Sequence, residues 1–183
     1  MIVNRTFSTG EITQFADVTN DNLQNWLKRK EIIGHREIKG GGGVGQRRHF
    51  SWFNLMEIAT AAALLKIGVR SRADAFDAAQ AFSHTGSGGS SWVGDDGLSD
   101  NSRNRWPGLP YHHAFGVTFM ILAAGKSRIV LSADGTLTST MLGGSLSLGC
   151  VVLNATELFA AVARRAGLNY LNVLDEAYKR SDA

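Results

Sequence analysis

A single cysteine, Cys150, stands among the 183 residues. A lone thiol closes no intrachain disulfide and builds no thiolate metal cluster, which fits a reducing compartment. Long apolar runs are missing too: Ile58–Leu65 falls well short of the ~20 residues that span a bilayer. Behind the basic Arg5 no apolar stretch follows, so no secretory leader is expected. The expectation is a cytoplasmic protein with no membrane partner. Catalytic sets are equally scarce. No nucleophile, base and orienting residue group together along the chain, so no enzyme is expected. Gly40–Gly43 are followed by Val44, Gly45 and Gln46, without the lysine and hydroxyl that a phosphate-cradling loop requires, and Gly143-Gly144 lacks them as well. No cofactor is expected.

What is present is a globular composition, 44% hydrophobic and 19% charged, with an uneven charge. Residues 1–84 hold 11 Lys/Arg against 8 Asp/Glu, whereas residues 85–183 hold 8 of each. The excess is concentrated in 28–50, where seven basic residues face only Glu31 and Glu37, a net +5. A local basic excess suits a polyanionic partner.

Ser8 and Glu11 read as a capping box for a first helix, with Ile12, Phe15 and Ala16 at core spacing. Asp17-Val18-Thr19 breaks it, and Thr19 or Asn20 caps a second helix from Asp21 to about Lys30. Leu23, Trp26 and Leu27 share one face of that helix, so Trp26 reads as core rather than as a base-stacking ring. Asp21, Gln24, Asn25, Lys28 and Arg29 point the other way. Two short extended stretches around the glycine-rich tip 40–45 predict a hairpin over about 35–50. Ser51 caps a third helix ended by Gly68, and Ser71 with Asp74 opens a fourth, to about Phe82.

Residues 83–109 then turn to Gly, Ser, Asp and Asn, the composition of a linker or loop. Beyond it, Val117–Ala123, Arg128–Ala133, Thr136–Leu142 and Leu146–Leu153 read as strands, with Asp134-Gly135 as a hairpin signal. Asn154 and Glu157 cap a helix to about Arg165, and a last helix runs from about Tyr170 to Lys179. The fold class is therefore α+β. A winged helix-turn-helix over 1–82 is joined through 83–109 to a small antiparallel β-meander with two helices on one face, over 110–183.

The N-terminal order of helix, turn, helix, hairpin and helix places the second helix where it can enter a major groove. Gln24 and Asn25 carry amides suited to adenine edges, and Lys28 and Arg29 reach phosphate or guanine. Arg36, Lys39, Arg47 and Arg48, on the hairpin, are the candidates for gripping the backbone or probing the minor groove. Over roughly residues 6–80 the sequence resembles the MerR family of transcription regulators. The resemblance rests on Phe7-Ser8-Thr9-Gly10-Glu11-Ile12, Asn22-Leu23-Gln24-Asn25-Trp26-Leu27-Lys28-Arg29, Gly45-Gln46-Arg47-Arg48-His49-Phe50 and Asn54-Leu55-Met56-Glu57-Ile58, with Lys66-Ile67-Gly68-Val69 as a following turn. It implies DNA-binding roles for Gln24, Lys28, Arg29, Arg47 and Arg48. The chain departs from the family where Gln24 replaces an arginine, where Phe50 replaces a tyrosine, and where the 83–108 loop replaces a long dimerising helix.

The expected function is thus a regulator of transcription that reads double-stranded DNA; the alternative is an architectural or excisionase-like factor that bends it. Residues 110–183 are expected to dimerise, to sense a ligand or to contact RNA polymerase or another protein. In the last helix Leu171, Leu174 and Tyr178 form an apolar stripe that either packs on the chain's own sheet or serves a homodimer, and a homodimer is expected. His112-His113, in a strand, would face opposite ways, so no metal site is expected of them with His84, Asp95 or Asp96. Cys150 is expected to be buried and inert, and Asp95, Asp96 and Asp100 to be solvated.

Overall fold

The computed structural model describes residues 2–33, 38, 48–86, 104–142 and 149–178. Each helix begins where a short polar side chain satisfies its orphan amides. Ser8 Oγ accepts the Glu11 N–H at 3.3 Å and Glu11 Oε2 accepts the Ser8 N–H at 2.8 Å, closing both halves of the box that opens α1 (Thr9–Ala16). Thr19 Oγ1 accepts the Asn22 N–H at 3.2 Å and opens α2 (Asn20–Lys28). Ser51 and Asn54 cap each other to open α3 (Trp52–Lys66), and Ser71 opens α4 (Arg72–Ser83). Asn154 Oδ1 accepts the Glu157 N–H at 3.0 Å to open α5 (Ala155–Arg165), and α6 covers Tyr170–Tyr178.

The second helix is shorter than expected. Lys30 turns left-handed at φ 59, the Lys30 N–H bonds Leu27 O at 3.1 Å and the Glu31 N–H bonds Trp26 O at 3.0 Å. These two bonds are the Schellman closure, which occupies the carbonyls of Trp26 and Leu27 and leaves Arg29 as the cap. Gly68 and Gly167 end α3 and α5 in the same way, at φ 106 and 73.

Strand β1 (Phe7–Ser8) pairs antiparallel with β2 (His49–Phe50). The hairpin expected over 35–50 falls mostly outside the described residues, and so do Arg36, Lys39 and Arg47. Its described end, His49–Phe50, is held by the segment that leads into α1. The second sheet holds β3 (Val117–Ala123), β4 (Lys126–Ser132) and β5 (Val151–Asn154), all antiparallel, in the order β4-β3-β5. The fold is α+β, but this sheet is not the expected meander, because β5 returns to the far side of β3 instead of extending from β4.

Thr136–Leu142 is not a strand either. Asp134 Oδ1 accepts the Thr136 N–H at 2.9 Å, Thr136 Oγ1 at 2.6 Å and Ser132 Oγ at 3.2 Å. That side-chain turn captures the backbone amide which a hairpin would have used, and the chain leaves the sheet edge. Nor are there only two helices against the sheet: α3, α4 and α5 all pack on its strands, while α6 packs on α5.

One buried cluster takes residues from both sides of 83–109, from Phe7 to Tyr178. Helix α3 runs through it with eleven of fifteen residues buried. Trp52 is its junction: the ring lies 6.2 Å from Phe7 and 5.8 Å from Phe159, and Nε1 donates to Gly108 O at 3.1 Å. Arg165 of α5 reaches back to α1, donating to Phe15 O at 3.1 Å. Buried Arg105 donates to the carbonyls of Phe82, Trp106, Leu109, Ala81 and Thr85, closing the C-terminal end of α4. Burial pulls its guanidinium down to about 10, which still leaves it charged at neutral pH.

Among the described residues no helix is long and apolar enough to cross a membrane. Cys150 sits just before β5 and is half-buried, not inside a buried strand as expected.

Candidate nucleic-acid interface

Helix α2 divides along its length. Leu23 and Trp26 are buried, with Trp26 edge-on to Phe76 of α4 at 5.2 Å, as the apolar spacing predicts. On the other side Asn25, Lys28 and Arg29 are exposed and Gln24 is half-buried. These four residues therefore share the surface expected of them.

Arg48 joins them from outside the helix. Its Nη1 donates to Gln24 Oε1 at 2.6 Å, across twenty-four residues of sequence. Gln24 Nε2 in turn donates to Asn20 Oδ1 at 3.3 Å. Gln24 is thus an oriented amide, with its oxygen turned to a guanidinium and its nitrogen to the first turn of its own helix. Far apart in sequence and expected to act as separate contacts, Gln24 and Arg48 form one polar unit in the fold.

The segment leaving α2 is anchored by Glu57 and Asn54, for which no functional role is expected from the sequence. Glu57, fully buried on α3, accepts the Ile33 N–H on Oε1 at 2.8 Å and Gln80 Nε2 on the same oxygen at 3.3 Å. Its other oxygen lies 2.8 Å from His84 Nε2. Asn54 Nδ2 donates to Ile33 O at 3.1 Å, so both backbone groups of Ile33 are held at the point where the chain departs toward residues 34–47. A signal existed: Glu57 is the one acidic residue in the apolar stretch from Trp52 to Leu65. A charge among buried neighbours is retained only with partners.

The turn between α1 and α2 is pinned as well. Asp17, left-handed at φ 56, pairs with Lys66 Nζ at 2.6 Å and lies 3.5 Å from Arg165 Nη2. The hydrogen bond from Lys66, aided by both positive charges, holds the Asp17 carboxyl below the usual range. Glu11 is lowered too, first by the Ser8 N–H.

His84 does not approach His112 and His113; it is spent on Glu57. Contrary to expectation, His112 and His113 do converge. They lie at the start of a short 3₁₀ turn, His113–Phe115, and not in a strand, and both reach Asp175. Of the two roles expected for the α6 stripe, the structure has the internal one: Leu174 and Tyr178 are buried in the chain's own core and Leu171 is half-buried.

Compared with known proteins, the sequence matches no family model and no curated protein.

Proposed function

We propose that this chain binds double-stranded DNA and acts as a MerR-like regulator of transcription, with α2 as the helix that enters the major groove. One observation carries the reading: Gln24, Asn25, Lys28 and Arg29 share the open side of a helix whose other side is buried, and Arg48 is brought to that same side by its bond to Gln24. In this reading Gln24 and Asn25 meet base edges, and Lys28, Arg29 and Arg48 meet phosphate. Arg36, Lys39 and Arg47 belong to the segment between Ile33 and His49–Phe50, and in this reading they meet the DNA backbone. Regulation is preferred to DNA bending alone because the chain adds a three-stranded sheet and two helices beyond the elements that grip DNA. A homodimer enters only through site length. One α2 reads few base pairs, so two copies on a two-fold site supply the rest.

The test is a fluorescence-anisotropy titration of the full chain with duplex DNA at two salt concentrations. Affinity falls steeply with salt, and the Lys28→Ala/Arg29→Ala double variant shallows the salt slope by roughly two units. Salt-insensitive binding, or a double variant that binds like the parent, overturns the reading.

A further inference from the structure

The geometry points to a binding site for a first-row divalent transition ion, of the zinc class, on His112, His113 and Asp175. This site lies apart from α2 and is independent of the DNA reading. His112 Nε2 and His113 Nε2 stand 3.0 and 2.8 Å from the same oxygen, Asp175 Oδ1. All three ligand atoms fall within 4.8 Å of one another. Ligand bonds of about 2.0–2.1 Å at tetrahedral angles place neighbouring donor atoms roughly 3.4 Å apart, so a small opening of this cluster admits an ion.

Two features make the cluster more than a chance meeting of surface groups. The first is the backbone. In an extended strand, adjacent side chains diverge; in the 3₁₀ turn His113–Phe115, which His112 caps, successive side chains are closer in direction. The two rings lie 4.3 Å apart and within 31° of parallel, both aimed at α6. The second is support. Phe115 and Tyr178 stand edge-on to the His112 ring at 5.9 and 5.5 Å. Tyr178 is itself fixed by donating its hydroxyl to Pro110 O at 2.6 Å. One ligand is therefore held in place before any ion arrives, while His113 and Asp175 are more open, with side chains 33% and 40% exposed.

Two imidazoles and a carboxylate are the donor set of zinc and its neighbours; magnesium and calcium prefer oxygen alone. Three protein ligands leave a fourth position for water. Binding requires each neutral imidazole to carry its proton on Nδ1 and present Nε2 to the ion. For His112 that means releasing the Ala114 N–H, which bonds Nδ1 at 3.3 Å. Ala114 is exposed, so water takes over that amide at small cost.

Isothermal titration of the full chain with zinc chloride, followed by cobalt(II) absorption, tests the site. One ion per chain is expected, with cobalt d–d bands of a low-coordinate nitrogen–oxygen site. His113→Ala, and separately Asp175→Asn, should each weaken zinc at least tenfold and abolish the cobalt bands. His49→Ala, on an exposed histidine of β2, should leave both unchanged. Zinc should raise the melting temperature of the parent and not of His113→Ala, which separates lost binding from lost folding. No stoichiometric binding by the parent, or binding that survives both substitutions, overturns the proposal.

Discussion

Helices α2 and α3 face opposite demands. Only Leu23 and Trp26 of the nine α2 residues are buried, and its polar side is open. Eleven of the fifteen α3 residues are buried, against neighbours from both parts of the chain. The difference separates two kinds of substitution. On α3 a changed side chain disturbs everything packed around it; on the open side of α2 it changes what the molecule presents and little else. Glu57 is where the two meet, because a charge inside α3 holds the exit from α2.

The strongest way to break this contrast is Trp52→Ala. Removing a buried ring that touches Phe7 and Phe159 should cost about 3–5 kcal/mol. Because the cluster is continuous, far-ultraviolet circular dichroism should show the whole chain unfolding in one transition at a lower temperature. Two separated transitions would mean that α3 does not couple the two parts.

Next in size is Glu57→Ala. It strands the Ile33 N–H without its acceptor and removes the partner of His84 Nε2, at about 1–3 kcal/mol in urea unfolding, while Gln80 Nε2 keeps Glu31 O at 3.0 Å. It should also weaken DNA binding, which Gln24→Ala does without a comparable loss of stability. Equal stability losses from both would erase the distinction between the helices.

A smaller effect sharpens the picture on α2 itself. The double-mutant cycle of Gln24→Ala and Arg48→Ala, measured on DNA affinity, should show coupling of about 0.5–1.5 kcal/mol, since each variant releases the other's partner. Strict additivity would show that the two residues meet DNA independently.

The smallest effect concerns acid. Asp17 and Glu11 have folded-state carboxyls below their ordinary range, so the stability they lend is present above the unfolded value and is lost as pH falls through the folded one. Both pin α1, one at each end. Asp17→Asn should therefore flatten the acid limb of the melting-temperature profile below about pH 4, where unpaired carboxyls titrate. An unchanged acid limb would show that the Lys66 pairing contributes nothing, as exposed pairs often do.

How much was legible follows from distance along the chain. Ser8 with Glu11, Thr19, Ser51, Ser71 and Asn154 with Glu157 all act within three residues, and the starts of α1 to α5 are readable from them. Gly68 and Gly167 marked two ends as clearly. The end of α2 is not legible, because Lys30, not a glycine, takes the left-handed turn. The pairing of β5 with β3 depends on contacts about thirty residues apart, and no local pattern carries them. Asp134-Gly135 looked like a hairpin, but the Asp134 side chain chose a different turn. The face of α2 was legible from its apolar spacing, whereas the bonds that organise it, Arg48 to Gln24 and Glu57 to Ile33, each span twenty-four residues. The meeting of His112 and His113 with Asp175 is not legible, because it depends on a 3₁₀ turn where the residue pattern suggests a strand and on a partner about sixty residues away.

Arg105 has a consequence for how the gene can be rearranged. By bonding carbonyls at the end of α4 from the far side of residues 87–103, it brings the two flanks of that segment together; Arg105 O lies 2.9 Å from the point where Gly86 would carry a Cβ. Joining two fixed ends costs only weakly more as the joining chain lengthens, so added length between these flanks should be tolerated. A short graft, an inserted reporter domain or a pair of new chain termini placed there leaves the clasp on both sides intact.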